Sequence, residues 1–116
     1  TGTWDKGKGC DGFGPIGPWL VTKDEIPDPH RLAIWLELNG ERVQDSSTAQ
    51  MVHRVPKLVS YVSQFMSLSP ADVISTGTPP GVGLGMETQR FLKVGDVMEL
   101  GVEGLGVQRQ RMVDSV

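Results

Sequence analysis

Residues 32–44 read LAIWLELNGERVQ, and this stretch decides the fold expected for the chain. Residues 32–38 alternate and are rich in strand-forming side chains, and residues 41–44 follow directly after Asn39 and Gly40. An Asn-Gly pair between two such runs favours a tight turn, because both central residues need a positive φ. The stretch therefore predicts a β-hairpin.

Four further strands are predicted around this hairpin. Residues 19–22 and 73–75 are short apolar runs next to turn-forming residues. Residues 96–102 and 107–113 form a second pair of runs, which flank the turn Gly104–Gly106. Glycines at such a turn supply the positive φ that a closing hairpin requires. The chain should therefore be mostly β.

One amphipathic helix is predicted downstream of the first hairpin. Apolar residues recur at three- and four-residue steps over residues 51–66, which is the spacing of one helix face. Pro56 suits the first turn of a helix, so the helix should begin near Arg54 or Val55. The glycines and prolines of residues 1–18 exclude a helix in that segment. The expected class is α+β, mostly β, with one amphipathic helix.

The composition of the chain excludes several classes of protein. Its 116 residues are 38% hydrophobic and 22% charged, which is typical of neither a membrane-spanning nor a disordered chain. A net charge of -3 gives no reason to expect nucleic acid as a partner. A single cysteine, Cys10, allows no internal disulfide and favours a cytoplasmic setting, and its side chain should be small and buried. Because the chain opens at Thr1 without an initiator Met, we interpret residues 1–116 as part of one longer domain.

Two segments could bring chemistry to a site. Lys8 lies between Gly7 and Gly9, on backbone that can approach a ligand closely, although an ordinary solvated lysine is the alternative. Residues 76–81, Thr-Gly-Thr-Pro-Pro-Gly, follow an apolar run. This turn could direct hydroxyls and a free N–H at an anionic oxygen, or it could be a stiff connection that binds nothing.

The histidines, tryptophans and carboxylates of the chain do not indicate a functional site by their spacing. His30 and His53 lack metal-ligand spacing, so each is interpreted as a surface or packing residue. The tryptophans at positions 4, 19 and 35 are expected in the core. The carboxylates lie in loops at irregular spacing and form no complete metal site.

Read in order, several blocks of the sequence resemble the fumarylacetoacetate hydrolase family. Residues 7–22 resemble its block GKxxDxFxPxGPWLVT, and residues 74–83 resemble its most diagnostic block. Shorter matches connect them: residues 24–29, Asn39-Gly40, Gln44-Asp45, Thr48, Met51, residues 95–97 and residues 103–106. Within the family, the sequence of residues 4–11 is most similar to that of bacterial proteins labelled ureidoglycolate lyase. Gly12 departs from the pattern, because many members have threonine there.

The resemblance implies a mixed β-roll with flanking helices, incomplete in this chain, in an enzyme that is usually a homodimer. It implies a divalent cation, magnesium or alternatively manganese or calcium, held by two glutamates and an aspartate. Those ligands are expected upstream of Thr1, so no metal ligand is assigned within this chain. Lys8 would be the catalytic residue beside the metal, and Thr78 with Gly77 would bind the substrate.

The resemblance also implies the reaction class. The leading hypothesis is a metal-dependent lyase or hydrolase acting on a small 2-oxo acid or related carboxylate, with ureidoglycolate lyase as one possibility. The alternatives are an acylpyruvate- or fumarylacetoacetate-type C–C hydrolase and a 2-hydroxyhepta-2,4-diene-1,7-dioate isomerase. A hypothesis of another class is an inactive piece with only a structural or dimerisation role, and the 116 residues alone are expected to be inactive.

Overall fold

The structure, a computed structural model, describes residues 4–114. Four strands form one sheet in the order β2-β1-β3-β4, and every neighbouring pair is antiparallel. Their bounds are β1 Ala33–Leu38, β2 Glu41–Ser47, β3 Val97–Val102 and β4 Val107–Arg111. The expected α+β, mostly β class is thus confirmed, and the sheet in the described residues is purely antiparallel.

The predicted hairpin is formed by β1 and β2. Asn39 and Gly40 have φ values of 53° and 83°, as a tight turn with two left-handed central residues requires. The register changes from Leu36 paired with Gln44 to Glu37 paired with Arg42. Val43 is therefore an extra residue, and β2 carries a β-bulge there.

The second predicted hairpin is also confirmed, and its turn packs against the amino-terminal segment. Gly104 and Gly106 adopt φ values of 75° and 84° between β3 and β4. A Cβ on Gly106 would lie 2.7 Å from the Trp19 ring and 2.8 Å from Pro18. Gln108 Nε2 also donates a hydrogen bond to the carbonyl of Gly17. The close fit shows why glycine occupies this turn.

The two faces of the sheet differ in chemistry. Because side chains alternate along a strand, the register places six apolar residues on one face: Ile34, Leu36, Leu38, Met98, Leu100 and Val102. Leu38, 6% exposed, is the only buried hydrophobic residue among those described. The other face carries the ion pairs Arg42–Glu37 and Arg109–Glu99, each at 2.8 Å. The small core therefore lies on the apolar face.

The described residues also form two α-helices. α1 spans Trp4–Lys8 and α2 spans Val55–Val62. α2 begins where the sequence predicts, with Pro56 in its first turn, and it ends before Met66. Short 3₁₀ turns lie at Thr48–Gln50 and Gly83–Gly85. In the part of the chain described, no helix has the length and apolar character needed to cross a bilayer.

Three predicted elements were wrong. α1 occupies part of residues 1–18, because Trp4-Asp5-Lys6 precede the first internal glycine and Gly9 N–H closes the turn on Asp5 at 2.8 Å. Residues 19–22 and 73–75 are irregular rather than strands. A strand needs a hydrogen-bonded neighbour, and within residues 4–114 neither segment pairs with the sheet.

Several side chains expected to be buried are exposed. Trp4 is 76% and Trp19 is 63% exposed, and Cys10 is exposed as well. Trp35 is half-buried, with its ring across Gly101, where a Cβ would lie 2.9 Å from ring atoms. The core expectation therefore holds in part for Trp35 and is wrong for Trp4 and Trp19. A sheet with one covered face cannot enclose all three indoles.

Candidate functional site

A cleft of about 420 Å³ opens between the first hairpin, the segment leading into α2, and the turn after residue 75. Its walls are formed by Ile34 and Ser46–Thr48, by Gln50–His53 and Leu58, and by Thr76–Pro80. This volume lies in the range of clefts that bind small molecules. The cleft thus joins three segments that are distant in sequence.

Gln44 of β2 holds the turn that forms one wall. Its Nε2 lies 2.9 Å from the Thr78 hydroxyl oxygen, 3.0 Å from the Pro79 carbonyl and 3.3 Å from the Pro80 carbonyl. The Thr78 hydroxyl in turn donates to the Pro79 carbonyl at 3.1 Å. Two rigid proline rings and one shared amide therefore fix the position of Thr78 relative to the sheet.

The bulge in β2 brings the same turn close to the strand. Gly81 has a φ of 105°, and a Cβ there would lie 2.0 Å from the Val43 carbonyl oxygen. No side chain fits into this contact. Gly81 is thus required both for its left-handed backbone and for its close approach to the bulged residue.

Gly77 is also left-handed, with a φ of 97°, but open space surrounds its Cα. Within residues 4–114, the backbone N–H groups of Gly77 and Thr78 have no hydrogen-bond partner. Both residues line the cleft, whereas the Thr78 hydroxyl is already engaged with Pro79 and Gln44. Two successive free N–H donors suit an anionic oxygen such as that of a carboxylate.

The opposite wall is held by His30. The N-cap residue of α2, Arg54, makes no side-chain capping bond. Instead, the Val55 N–H donates to His30 Nε2 at 3.1 Å. Asp28 accepts the His30 backbone N–H at 3.0 Å, and this hydrogen bond lowers the pKa of Asp28. The loop of residues 28–30 therefore positions the helix that borders the cleft.

The structure brings together only part of the predicted site. Thr78 and Gly77 both line the cleft. Lys8 lies on α1, its Nζ 4.6 Å from the centre of the Trp4 ring, and it is not among the lining residues. The convergence of Lys8 with Thr78 stays a prediction. Gln44 belongs to one of the short family-like matches, but neither its contacts nor those of His30, which hold the two walls, follow from local sequence, because the partners are 25 or more positions away.

The lining residues do not form a divalent-cation site on their own. Magnesium and calcium prefer several carboxylate or carbonyl oxygens, and no Asp or Glu lines the cleft. Across residues 4–114, no three His, Cys, Asp or Glu side chains are grouped so that they could hold a metal ion.

Comparison with known proteins places this geometry in a family. The protein-family model described as fumarylacetoacetate hydrolase, carboxy-terminal, matches residues 1–113 of the sequence. A Burkholderia cenocepacia protein with the provisional name hydrolase is 59% identical over 115 residues, which is 98% of this chain and 41% of that protein. The chain thus spans about 41% of the length of this curated relative.

Solved structures share the fold. Fumarylacetoacetate hydrolase from Exiguobacterium antarcticum is 40% identical, with a TM-score of 0.91 over 95% of this chain and 39% of that one. Maleylpyruvate hydrolase from Sphingobium sp. SYK-6, in complex with manganese(II) and pyruvate, is 33% identical, with a TM-score of 0.79 over 87% and 36%. The 2-hydroxyhepta-2,4-diene-1,7-dioate isomerase from Mycobacterium marinum is 38% identical, with a TM-score of 0.84 over 97% and 40%.

The family match spans nearly the whole chain. The family contains hydrolases and isomerases. The chain belongs to the fumarylacetoacetate hydrolase family.

Proposed function

We propose that the full-length protein is a hydrolase or isomerase of small 2-oxo acids, and that the cleft binds the carboxylate of its substrate. The observation that carries this proposal is the turn of residues 76–80, which lines the cleft and carries two backbone amides, those of Gly77 and Thr78, that have no partner within the described residues. A related maleylpyruvate hydrolase forms a complex with pyruvate, which is a small 2-oxo acid.

The residues of this chain would act mainly by binding and orientation. A carboxylate accepts hydrogen bonds from the Gly77 and Thr78 amides without displacing other partners, because both are unpaired within the described residues. Gln44 keeps the Thr78 side chain in place before the substrate arrives. Preorganised donors of this kind cost little reorganisation during the reaction.

The remaining walls favour a substrate with a short carbon chain. Ile34, Met51 and Leu58 contribute apolar surface to the cleft. Such surface excludes water, and polar contacts strengthen when water is excluded. The cleft would thus hold the carboxylate at one wall and the hydrocarbon part of the substrate between the others.

Lys8 is proposed as the catalytic residue that holds an anionic oxygen or transfers a proton. Its amine now lies over the Trp4 ring on the exposed helix α1. A role in catalysis therefore requires that α1 lie beside the cleft in the complete protein. The flexible four-carbon side chain of lysine gives the amine the reach for such a contact.

A divalent cation, magnesium or alternatively manganese or calcium, is part of the proposal for the full-length protein. A related hydrolase binds manganese. Since the residues described here do not form a cation site, its ligands are proposed to come from sequence upstream of Thr1. A homodimer in the cytoplasm is likewise proposed for the complete protein.

The names of the related structures favour hydrolysis or isomerisation over the other hypotheses. The hypothesis of ureidoglycolate lyase activity rests only on the sequence similarity of residues 4–11. A purely structural role for the chain is supported by no contact in the structure. The isomerase alternative has more support than these two hypotheses, because a 2-hydroxyhepta-2,4-diene-1,7-dioate isomerase shares 38% identity with the chain.

The test uses the full-length protein, treated with chelator and then supplied with manganese or magnesium. Acylpyruvates, maleylpyruvate, a 2-hydroxydienedioate and ureidoglycolate are offered, and product formation is followed by absorbance and NMR. We expect metal-dependent turnover of at least one 2-oxo acid. Thr78→Val should lower kcat/KM by about tenfold, because it removes the hydroxyl through which Gln44 holds the turn in place. Absence of turnover with every 2-oxo acid would overturn the proposal.

A further inference from the structure

His53 is the only ionisable side chain among the described residues that line the cleft. The other lining residues are apolar or carry neutral hydroxyl and amide groups. His53 lies on the segment between the Thr48–Gln50 turn and α2, whereas the proposed carboxylate donors lie on the turn of residues 76–80. The ionisable side chain and the proposed carboxylate donors thus lie on separate walls of the cleft.

We infer that His53 binds a second carboxylate, so that the cleft selects 2-oxo dicarboxylic acids over 2-oxo monocarboxylic acids. The inference rests on the proposed function, since it assumes that the first carboxylate is bound by Gly77 and Thr78. An imidazole donates an N–H in both its neutral and its protonated forms. It can therefore hydrogen-bond a carboxylate in either state.

Each wall also has apolar surface that suits the carbon chain of such a substrate. Ile34, Leu58 and Pro79 line the cleft, one from each of the three wall segments. A volume of about 420 Å³ has room for a small dicarboxylic acid. A 2-oxo monocarboxylic acid would leave His53 without a partner from the substrate.

The backbone on both sides of His53 is anchored. Met51 N–H donates to the Thr48 carbonyl at 3.2 Å, and Val55 N–H donates to His30 at 3.1 Å. Anchoring restricts the positions available to the imidazole, which makes it suitable for recognising a group at a fixed distance.

No neighbouring cation duplicates this role in the described residues. Arg54 follows His53 directly, but its side chain does not line the cleft. His30 is engaged with Val55 and lies 3.5 Å from Asp28. Arg54 therefore provides a matched control, because its replacement removes a nearby charge and leaves the cleft wall intact.

The test measures equilibrium binding of two acids of equal chain length to the full-length protein with manganese present. The acids are 2-oxoglutarate, which ends in a carboxylate, and 2-oxopentanoate, which ends in a methyl group. Isothermal titration calorimetry compares the unaltered protein with His53→Ala, His53→Gln and Arg54→Gln, and circular dichroism checks that each variant is folded.

We expect the unaltered protein to prefer 2-oxoglutarate. His53→Ala should reduce this preference by about 10- to 100-fold, the range expected for one hydrogen bond to a charged group. The affinity for 2-oxopentanoate should stay the same, and His53→Gln should keep part of the preference because it retains a donor. Arg54→Gln should bind both acids like the unaltered protein.

An unchanged preference in His53→Ala would overturn the inference, as would an equal loss of preference in Arg54→Gln. The turnover assay of the preceding section separates this result from failure of the proposed function. Turnover of 2-oxo acids without any effect of His53 would leave the function standing and refute the role of His53. Failure of the unaltered protein to bind either acid would refute both.

Discussion

The Nε2 atom of His30 lies 3.1 Å from the backbone nitrogen of Val55 and accepts its hydrogen bond. The side chain of His30 is only 11% exposed. N–H groups in the first turn of a helix usually donate to a Ser, Thr, Asp or Asn side chain at the N-cap, but α2 has Arg54 there. A histidine from a distant loop thus performs the capping and links residues 28–30 to the wall of the cleft.

Replacing His30 should therefore loosen the start of α2. We expect His30→Ala to lower the free energy of unfolding of the full-length protein by about 1 kcal/mol, which is typical for a lost helix cap. Hydrogen exchange at the Val55 amide should become faster. Arg31→Ala is the control, because the Arg31 side chain is 83% exposed. Unchanged exchange at Val55 in His30→Ala would contradict the capping role.

Gly81 and Gly95 provide a comparison of backbone strain with steric contact. Their φ values are 105° and 94°, so alanine is strained at both. A Cβ at Gly81 would lie 2.0 Å from the Val43 carbonyl oxygen. A Cβ at Gly95 would have no heavy atom of the described residues within 4 Å, apart from those of its chain neighbours. Gly95→Ala should cost about 1–2 kcal/mol, and Gly81→Ala should cost clearly more.

The measurement for this pair is urea-induced unfolding of the two full-length variants. Gly81→Ala should also weaken binding of 2-oxo acids, because the turn of residues 76–80 must move away from β2. Equal unfolding midpoints for the two variants would show that the contact with Val43 is not maintained in solution.

Asp96 should make the stability of the protein depend on pH. Its carboxylate accepts hydrogen bonds from Asn39 Nδ2 and from the Lys93 N–H, each at 2.9 Å. The bond from Asn39, followed by that from Lys93, lowers the pKa of Asp96 below its usual value of 3.8. The folded state thus favours the ionised form, and this contribution is present above the usual value. It is lost as the pH falls through the lowered pKa.

We expect Asp96→Asn to unfold at a temperature that changes less between about pH 5 and about pH 3 than that of the unaltered protein. Asp11→Asn is the control, because Asp11 is exposed and makes no hydrogen bond within the described residues. The comparison uses thermal unfolding followed by circular dichroism. Parallel pH profiles for the Asp96 variant and the unaltered protein would remove this assignment.

Lys8 and Lys6 lie on the same short helix and are both exposed. Lys8→Ala in the full-length enzyme should abolish turnover, by at least about 10²- to 10⁴-fold, while the fold stays intact. Lys6→Ala should retain turnover. Steady-state kinetics with a 2-oxo acid substrate provides the measurement. Near-normal activity of Lys8→Ala would remove Lys8 from the mechanism.

Local patterns predicted the elements that are local in origin. The Asn39-Gly40 turn, the start of α2 at Val55 and the turn at Gly104–Gly106 are all set by residues close in sequence. Residues 19–22 and 73–75 have strand-like composition, but a strand also needs a partner. Trp19 packs instead against Gly106, about 87 positions away, and no local pattern indicates such a contact.

The candidate site was predicted only in part for the same reason. Thr78 and Gly77 belong to a short motif that is recognisable by itself, and they line the cleft. Gln44 holds them from 34 positions away, and only the register of β2 with its bulge brings it there. The position of Lys8 relative to the cleft depends on packing that the sequence of residues 4–114 does not determine.

The contact between Gly81 and the Val43 carbonyl has a consequence for assembly. β2 is an outer strand of the sheet, and outer strands can recruit strands of other molecules and so cause aggregation. Because the turn that includes Gly81 lies against this strand, it obstructs such pairing. Substitutions that detach the turn would therefore reduce solubility as well as ligand affinity.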